Sequence, residues 1–204
     1  MTPPVAAKPD LYFSVDVETD GPVPGMFSMA SIGVSCAASF DGERFERRDP
    51  RADTFYAELA PISETFNAEA LAISGLTREH LLARGAAPTV VMPRLNDWIR
   101  EVADGFTPVF VAYPLPFDWL WTYFYFVTFG PRPGDSANCP FGHADAIDAK
   151  TLYLTKSGRP VGWPTRRSIP QRLLPAAAHT HNALDDAVEQ AELFCNLREW
   201  DGRP

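Results

Sequence analysis

Residues 12 to 21 read YFSVDVETDG, a β-branched and aromatic run that carries two carboxylates, Asp16 and Glu18, two positions apart. Side chains alternate across a strand that rises about 3.3 Å per residue, so Ser14, Asp16 and Glu18 share one face while Phe13, Val15 and Val17 share the other. The two carboxylates then stand roughly 7 Å apart and can converge on one cation. Alone, such a pair is most simply the wet face of an edge strand, so its meaning depends on the rest of the chain.

Working outward, TDGPVPG (19–25) breaks this strand with two glycines and two prolines, and SMASIGVSCAASF (28–40) resumes as its neighbour. DGERFERRDPR (41–51) reads as a turn with a charged arm, and DTFYAELAPI (53–62) as a third strand of a meander. From Asn67 the pattern turns helical. NAEALAISG is short and closed by Gly75, Thr77 caps REHLLARG, and Thr89 opens a longer segment with Pro93 in its first turn or at a kink. TPVFVAYP (107–114) predicts a buried strand, PFDWLWTYFYFVTF (116–129) an apolar helix started by Pro116, and ADAIDAK (144–150) a further strand. Residues 156 to 178 have little periodicity and read as a long loop with about one helical turn. The last helix opens at Asn182 as N-cap, with Asp185 at N3. The order β-β-β-α-β-α-β-α indicates an α/β domain with a mixed sheet. Residues 1–10 are expected as a flexible tail, 11–200 as the domain and 201–204 as a C-terminal tail.

The 204 residues are 46% hydrophobic, enough for one well-packed domain. Eighteen Lys plus Arg against 26 Asp plus Glu leave a formal charge of −8, which excludes a broad basic surface for gripping long duplexes. A polyanionic substrate must meet a local patch or bound metal ions. Three widely spaced cysteines, Cys36, Cys139 and Cys195, argue against a disulfide framework or a structural zinc and favour a reducing cytoplasm. The N-terminus has no leader pattern and no apolar run reaches membrane-spanning length, so no membrane partner is expected.

The last helix changes how Asp16 and Glu18 read. At about 100° per residue, Asp185, Glu189, Glu192, Asn196 and Glu199 fall in one arc of about 80°, the expected solvated side. Asp186 instead lies between the directions of Leu193 and Leu197, where an unpaired carboxylate is costly unless protonated, paired or bound to metal. His181 stands five positions earlier and must approach from the entering loop, where it could take a proton from a metal-bound water, though taken alone a histidine that packs or hydrogen-bonds near the helix start accounts for it better.

SVDVETDG, PFDWLW and HNALDDA, in this order and spacing, resemble the three exonuclease motifs of the DEDD superfamily, histidine subtype, which includes ribonuclease T, oligoribonuclease and polymerase proofreading subunits. The resemblance spans roughly residues 11 to 198. It implies a ribonuclease H-like mixed β-sheet flanked by helices, in a single domain. It also implies a metal-dependent 3′-5′ exonuclease that releases nucleoside 5′-monophosphates from single-stranded RNA or DNA. By the same resemblance Asp16, Glu18, Asp118 and Asp186 bind two Mg²⁺ or Mn²⁺ ions, with Asp118 acting through water, and His181 is the general base. The backbone near Thr19 contacts the terminal 3′ hydroxyl, Thr19 and Asp20 neighbour the substrate, and Ile73, Gly75 and Leu76 line the terminal nucleotide's site. Homodimers are frequent among such proteins, so a homodimer is among the expected assemblies.

The chain departs from the pattern where relatives carry His-Asn before the second-motif Phe-Asp: here stand Tyr113 and Pro114. Trp119 and Trp121 offer stacking surfaces, but an aromatic core helix accounts for them better. Asp148, at a strand end, reads as the cap of the next helix. Of the basic residues, the cluster Arg159, Arg166, Arg167 and Arg172 lies in the long loop that precedes His181, and Arg166 and Arg167 are expected to guide a single strand toward the metals. Two further functions stay open at this level: a phosphodiesterase acting on a nucleotide-containing small molecule, and a non-catalytic nucleic-acid-binding or scaffold protein.

Overall fold

The computed structural model describes residues 8–163, 166–176 and 179–203. Residues 1–7 of the expected N-terminal tail and the last residue of the expected C-terminal tail lie outside the described residues. The centre of the fold is β1 (Asp10–Thr19), whose alternation separates two cores. Leu11, Phe13, Val15 and Val17 pack in one hydrophobic cluster and Tyr12 in the other. Next to β1 runs the antiparallel β2 (Met29–Phe40), with Asp16 opposite Gly33 and Glu18 opposite Ser31. The outer edge of β2 is shared by two short antiparallel strands, β3 (Phe45–Arg47) at Ala38–Phe40 and β4 (Thr54–Glu58) at Ser31–Ser35. On its other side β1 pairs in parallel with β5 (Thr107–Ala112), which pairs in parallel with β6 (Ala146–Asp148). The sheet is therefore mixed, as the short early connections predict. β3 is the strand that the charged-arm reading of residues 41–51 does not contain.

Three helices follow β4: α1 (Ala68–Ile73), α2 (Arg78–Arg84) and α3 (Pro88–Val102). α4 (Leu115–Phe129) follows β5, α5 (Ala149–Ser157) follows β6, and α6 (Ala183–Glu199) closes the chain. Several boundaries are set by local chemistry. Asn67 accepts from the N–H groups of Glu69 and Ala70, Thr77 from His80, Asp148 from Lys150, and Asn182 from Leu184 and Asp185, each relieving free donors at a helix start. α3 begins one residue before Thr89, with Pro88 at N1 and Ala87 as cap, and it carries Pro93 in its interior. The expected loop at 156–178 contains the end of α5 and two 3₁₀ turns, Arg166–Ser168 and Gln171–Leu173.

The helices lie on both faces of the sheet. Leu95 and Ile99 of α3 and Trp121, Tyr125 and Phe126 of α4 join Phe13 and Val15 on one face. Tyr153 of α5 and Leu193, Phe194 and Leu197 of α6 join Tyr12 on the other. Lys156 Nζ bonds the carbonyls of Leu197, Arg198 and Trp200 at 2.7 to 2.8 Å, which ties α5 to the end of α6 and satisfies acceptors that the helix cannot. Trp121 is fully buried and Trp119 stacks on Tyr123, so α4 uses its tryptophans for packing. Among the described residues no helix is long and apolar enough to cross a membrane.

Candidate active site

The pairing of β1 with β5 ends at Ser14 opposite Val111, so the last five residues of β1 have no strand on that side. Diverging neighbours at the carboxyl ends of parallel strands leave a crevice. Here the start of α4 enters it, and Asp118 Oδ1 accepts the hydrogen bond of the Val17 N–H at 3.2 Å. Asp118 is buried, whereas Asp16 and Glu18 on β1 are half-buried and reach the surface.

α6 crosses the same strands from the opposite face, and Gly33 is what lets it come close. A Cβ at Gly33 would lie 2.1 Å from the Ala183 carbonyl oxygen and 2.4 Å from the Leu184 nitrogen. The first turn of α6 therefore rests on β2 beside Asp16. Asp186, on that turn, is 0% exposed. Its carboxylate is held by the entering loop: Oδ1 accepts from the Thr180 N–H at 2.8 Å and Oδ2 from the His181 N–H at 2.9 Å, and His179 Nδ1 lies 3.0 Å from Oδ2. His181 has φ of 59°, a left-handed conformation uncommon for a residue with a side chain, and this bend turns its N–H onto Asp186. The rings of His179 and His181 meet edge to face, with centroids 4.6 Å apart.

Asp16, Glu18 and Asp186 each bring a carboxylate oxygen into one group whose atoms all lie within 4.8 Å of one another. A set of oxygen donors from three carboxylates suits a hard divalent cation. The electrostatics agree. Burial, then the charges of Asp118, Glu18, Asp186 and Glu189, holds Asp16 well above the usual carboxylate range. Burial and Asp186 push Glu18 up to about 7. Asp118 rises to about 8, chiefly through burial, against the opposing Val17 hydrogen bond. The cluster lacks positive charge, which a divalent cation supplies.

Support comes from residues that the sequence reading did not single out for the site. Gln190, one turn beyond Asp186 on α6, donates from Nε2 to Asp16 Oδ1 at 2.8 Å and fixes its orientation. Glu189, assigned by its helical position to the solvated arc, is 2% exposed and paired with Arg166. The Arg166 guanidinium also lies over the Tyr113 ring, 5.7 Å from its centroid. The wheel misplaces Glu189 because it contains only its own helix, while the 3₁₀ turn at Arg166–Ser168 covers that side.

Beside the carboxylates lies a cavity of about 420 Å³ lined by Glu18, Thr19, Asn67, Ala70, Ile73 and Phe117, among others. Ile73, 59% exposed, and Phe117, 39% exposed, give it apolar walls. Of the expected substrate neighbours, Thr19 and Ile73 line it. Asp20 turns inward instead: it is buried, accepts from the Ser28 N–H and pairs with Arg78 at 3.1 Å. Gly75, with φ of 71°, forms the bend after α1, and Leu76 packs against Leu71, Leu81 and Ala30. Arg166 reaches the site through Glu189, and Arg167 is exposed on the same turn. Asp148 caps α5 and binds Thr151 Oγ1 at 2.7 Å, the structural role expected of it. His179 is the residue whose signal was present but unread: a second histidine two positions before His181.

No family model matches the chain. It is 37% identical over 188 residues to the 3′-5′ DNA exonuclease Cap18 of Escherichia coli, an alignment covering 91% of this chain and 90% of that protein. Among solved structures it is similar to cell-death related nuclease 4 (CRN-4), with a TM-score of 0.59 and 14% identity over 92% of this chain. It is also similar to E. coli Exonuclease I in complex with a dA16 oligonucleotide, with a TM-score of 0.59 and 18% identity over 90% of this chain. The chain spans 62% of the first of these structures and 39% of the second, and at such identities they establish the shared fold.

Proposed function

The chain belongs to the 3′-5′ exonucleases of the DEDD superfamily, and on that footing we propose that it hydrolyses the terminal phosphodiester bond at the 3′ end of single-stranded DNA, releasing nucleoside 5′-monophosphates. The observation that carries this reading is the convergence of Asp16 and Glu18 from β1 with Asp186 from α6. Two Mg²⁺ or Mn²⁺ ions would be held there, one by Asp16, Glu18 and Asp186, the other by Asp16 with Asp118 acting through water. When bound, they supply Lewis acidity to the attacking and leaving oxygens of an in-line displacement.

The chain's own groups do the rest. His181, anchored through its backbone on Asp186, takes the proton of the attacking water. Gln190 keeps Asp16 oriented, and Thr19 presents its backbone to the terminal 3′ hydroxyl. Ile73 and Phe117 flank the terminal base with apolar surface. Arg167, on the exposed turn before His181, steers the incoming phosphates. DNA is preferred over RNA in this reading because Cap18, the 37% identical relative, is a DNA exonuclease. The three buried free cysteines suit a reducing cytoplasm.

The test is digestion of 5′-labelled single-stranded DNA and RNA oligonucleotides with Mg²⁺ or Mn²⁺. The expected result is a ladder shortened from the 3′ end, faster on DNA. Asp186→Asn should lower the rate ~100-fold or more, while Asp185→Asn, on the exposed side of the same turn, should leave it unchanged. Equal effects of the two substitutions would overturn the site assignment. Intact oligonucleotides of both kinds would overturn the substrate class and favour a small-molecule phosphodiesterase or a binding protein.

A further inference from the structure

We propose that His179, His181 and Asp186 form a zinc site that shares Asp186 with the magnesium or manganese cluster and, when filled, withdraws His181 from the reaction. The inhibitory consequence rests on the proposed role of His181 as base, whereas the zinc site itself rests on geometry alone. Candidate ligand atoms of the three residues all lie within 4.8 Å of one another. A tetrahedral zinc with bonds of about 2.0 to 2.1 Å needs donor atoms roughly 3.3 Å apart. His179 Nδ1 and Asp186 Oδ2, at 3.0 Å, already stand near that spacing. The His181 donor needs to close by no more than about 1.5 Å, within reach of a ring rotation on an exposed side chain.

Three features make this more than two histidines near an acid. The left-handed bend at His181 brings two rings separated by one residue face to edge on the same side of the loop. Asp186 is buried and oriented through its other oxygen by the Thr180 N–H, the outer-shell hydrogen bond that metal-ligating carboxylates use. His179 is partly exposed, which leaves a path for the ion.

Ligand chemistry separates the two sites. Imidazole nitrogen favours zinc strongly over magnesium, while the trio of Asp16, Glu18 and Asp186 offers only oxygen. Asp186 is common to both, so the two sites are adjacent. Zinc held by His181 also uses the nitrogen lone pair that would accept the water's proton. The arrangement therefore predicts an exonuclease supported by Mg²⁺ and suppressed by low concentrations of Zn²⁺.

The chain has four histidines, which makes the test direct. Imidazole ¹⁵N resonances of the full chain are recorded in Mg²⁺ buffer while Zn²⁺ is added. The expected result is that one equivalent of Zn²⁺ moves the ring nitrogens of His179 and His181 and leaves those of His80 and His143 in place. Zinc affinity, read by competition with a chromophoric chelator, should fall ~10-fold or more in both His179→Ala and His179→Gln. Unmoved rings, movement of His181 alone, or unchanged affinity in the two variants would overturn the site. Suppressed hydrolysis together with moved rings supports the whole inference. Moved rings with hydrolysis intact would support the site and overturn the assignment of His181 as base.

Discussion

Glu189 places a fifth carboxylate beside Asp16, Glu18, Asp118 and Asp186, and its charge adds to those that raise Asp16 above the usual carboxylate range. A buried anion in that position is tolerable because Arg166 reaches it from the 3₁₀ turn that covers α6. Arg166 therefore acts first as a counter-charge, and it also lies over the Tyr113 ring. Arg166→Ala should destabilise the protein by roughly 1–3 kcal/mol, discounted from the value for a fully buried pair because the guanidinium is about one-third exposed. Adding Glu189→Gln to that variant should recover most of the loss, since the stranded charge is then gone. Urea unfolding of the two single variants and the double variant checks this. Additive losses would mean that the pair is incidental and that Arg166 is held by something else.

At the scale of elements, one glycine decides whether the site can assemble. Gly33 lies opposite Asp16 on β2, directly beneath the first turn of α6. Its added Cβ would meet backbone atoms rather than a side chain that can swing away, so Gly33→Ala should push α6 off the sheet. The expected cost is about 3 kcal/mol or more in stability, with weakened cation binding as Asp186 leaves Asp16 and Glu18. Calorimetric titration of Mn²⁺ into the variant reads the second effect, and native affinity would refute the argument. Elements governed by local rules were legible from the chain: the alternation of β1, and the caps at Thr77, Asp148 and Asn182. β3 was not, because three residues of a charged arm form a strand only where the end of β2 offers an edge. Asp186 stood out in the sequence because it violates the polarity of its own helix. His179 and Gln190 did not, since their roles come from the bend at His181 and from the crossing of α6 over β1, neither of which leaves a periodic trace.

For the whole molecule, the carboxylate cluster makes stability depend on pH and metal together. Glu18 has its pKa raised from 4.5 to about 7, and Asp118 from 3.8 to about 8. A raised carboxyl binds its proton more tightly in the folded state than in the unfolded one, so its contribution is fully present below the unfolded pKa and is lost as pH rises through the folded value. Without metal, this contribution should decline between about pH 4 and pH 8, adding to the self-repulsion of a chain with formal charge −8. Divalent cations bind only the ionised carboxylates, so they reverse the trend by replacing the protons. The gap in Tm between Mn²⁺ and EDTA samples should therefore be small near pH 5 and widen steadily toward pH 8. Asp118→Asn in EDTA should flatten the decline, because it removes the group with the higher folded pKa. A gap that stays constant across this range would mean that the acids are not strained by one another in the folded chain, and the case for cations as part of its stability would fail with it.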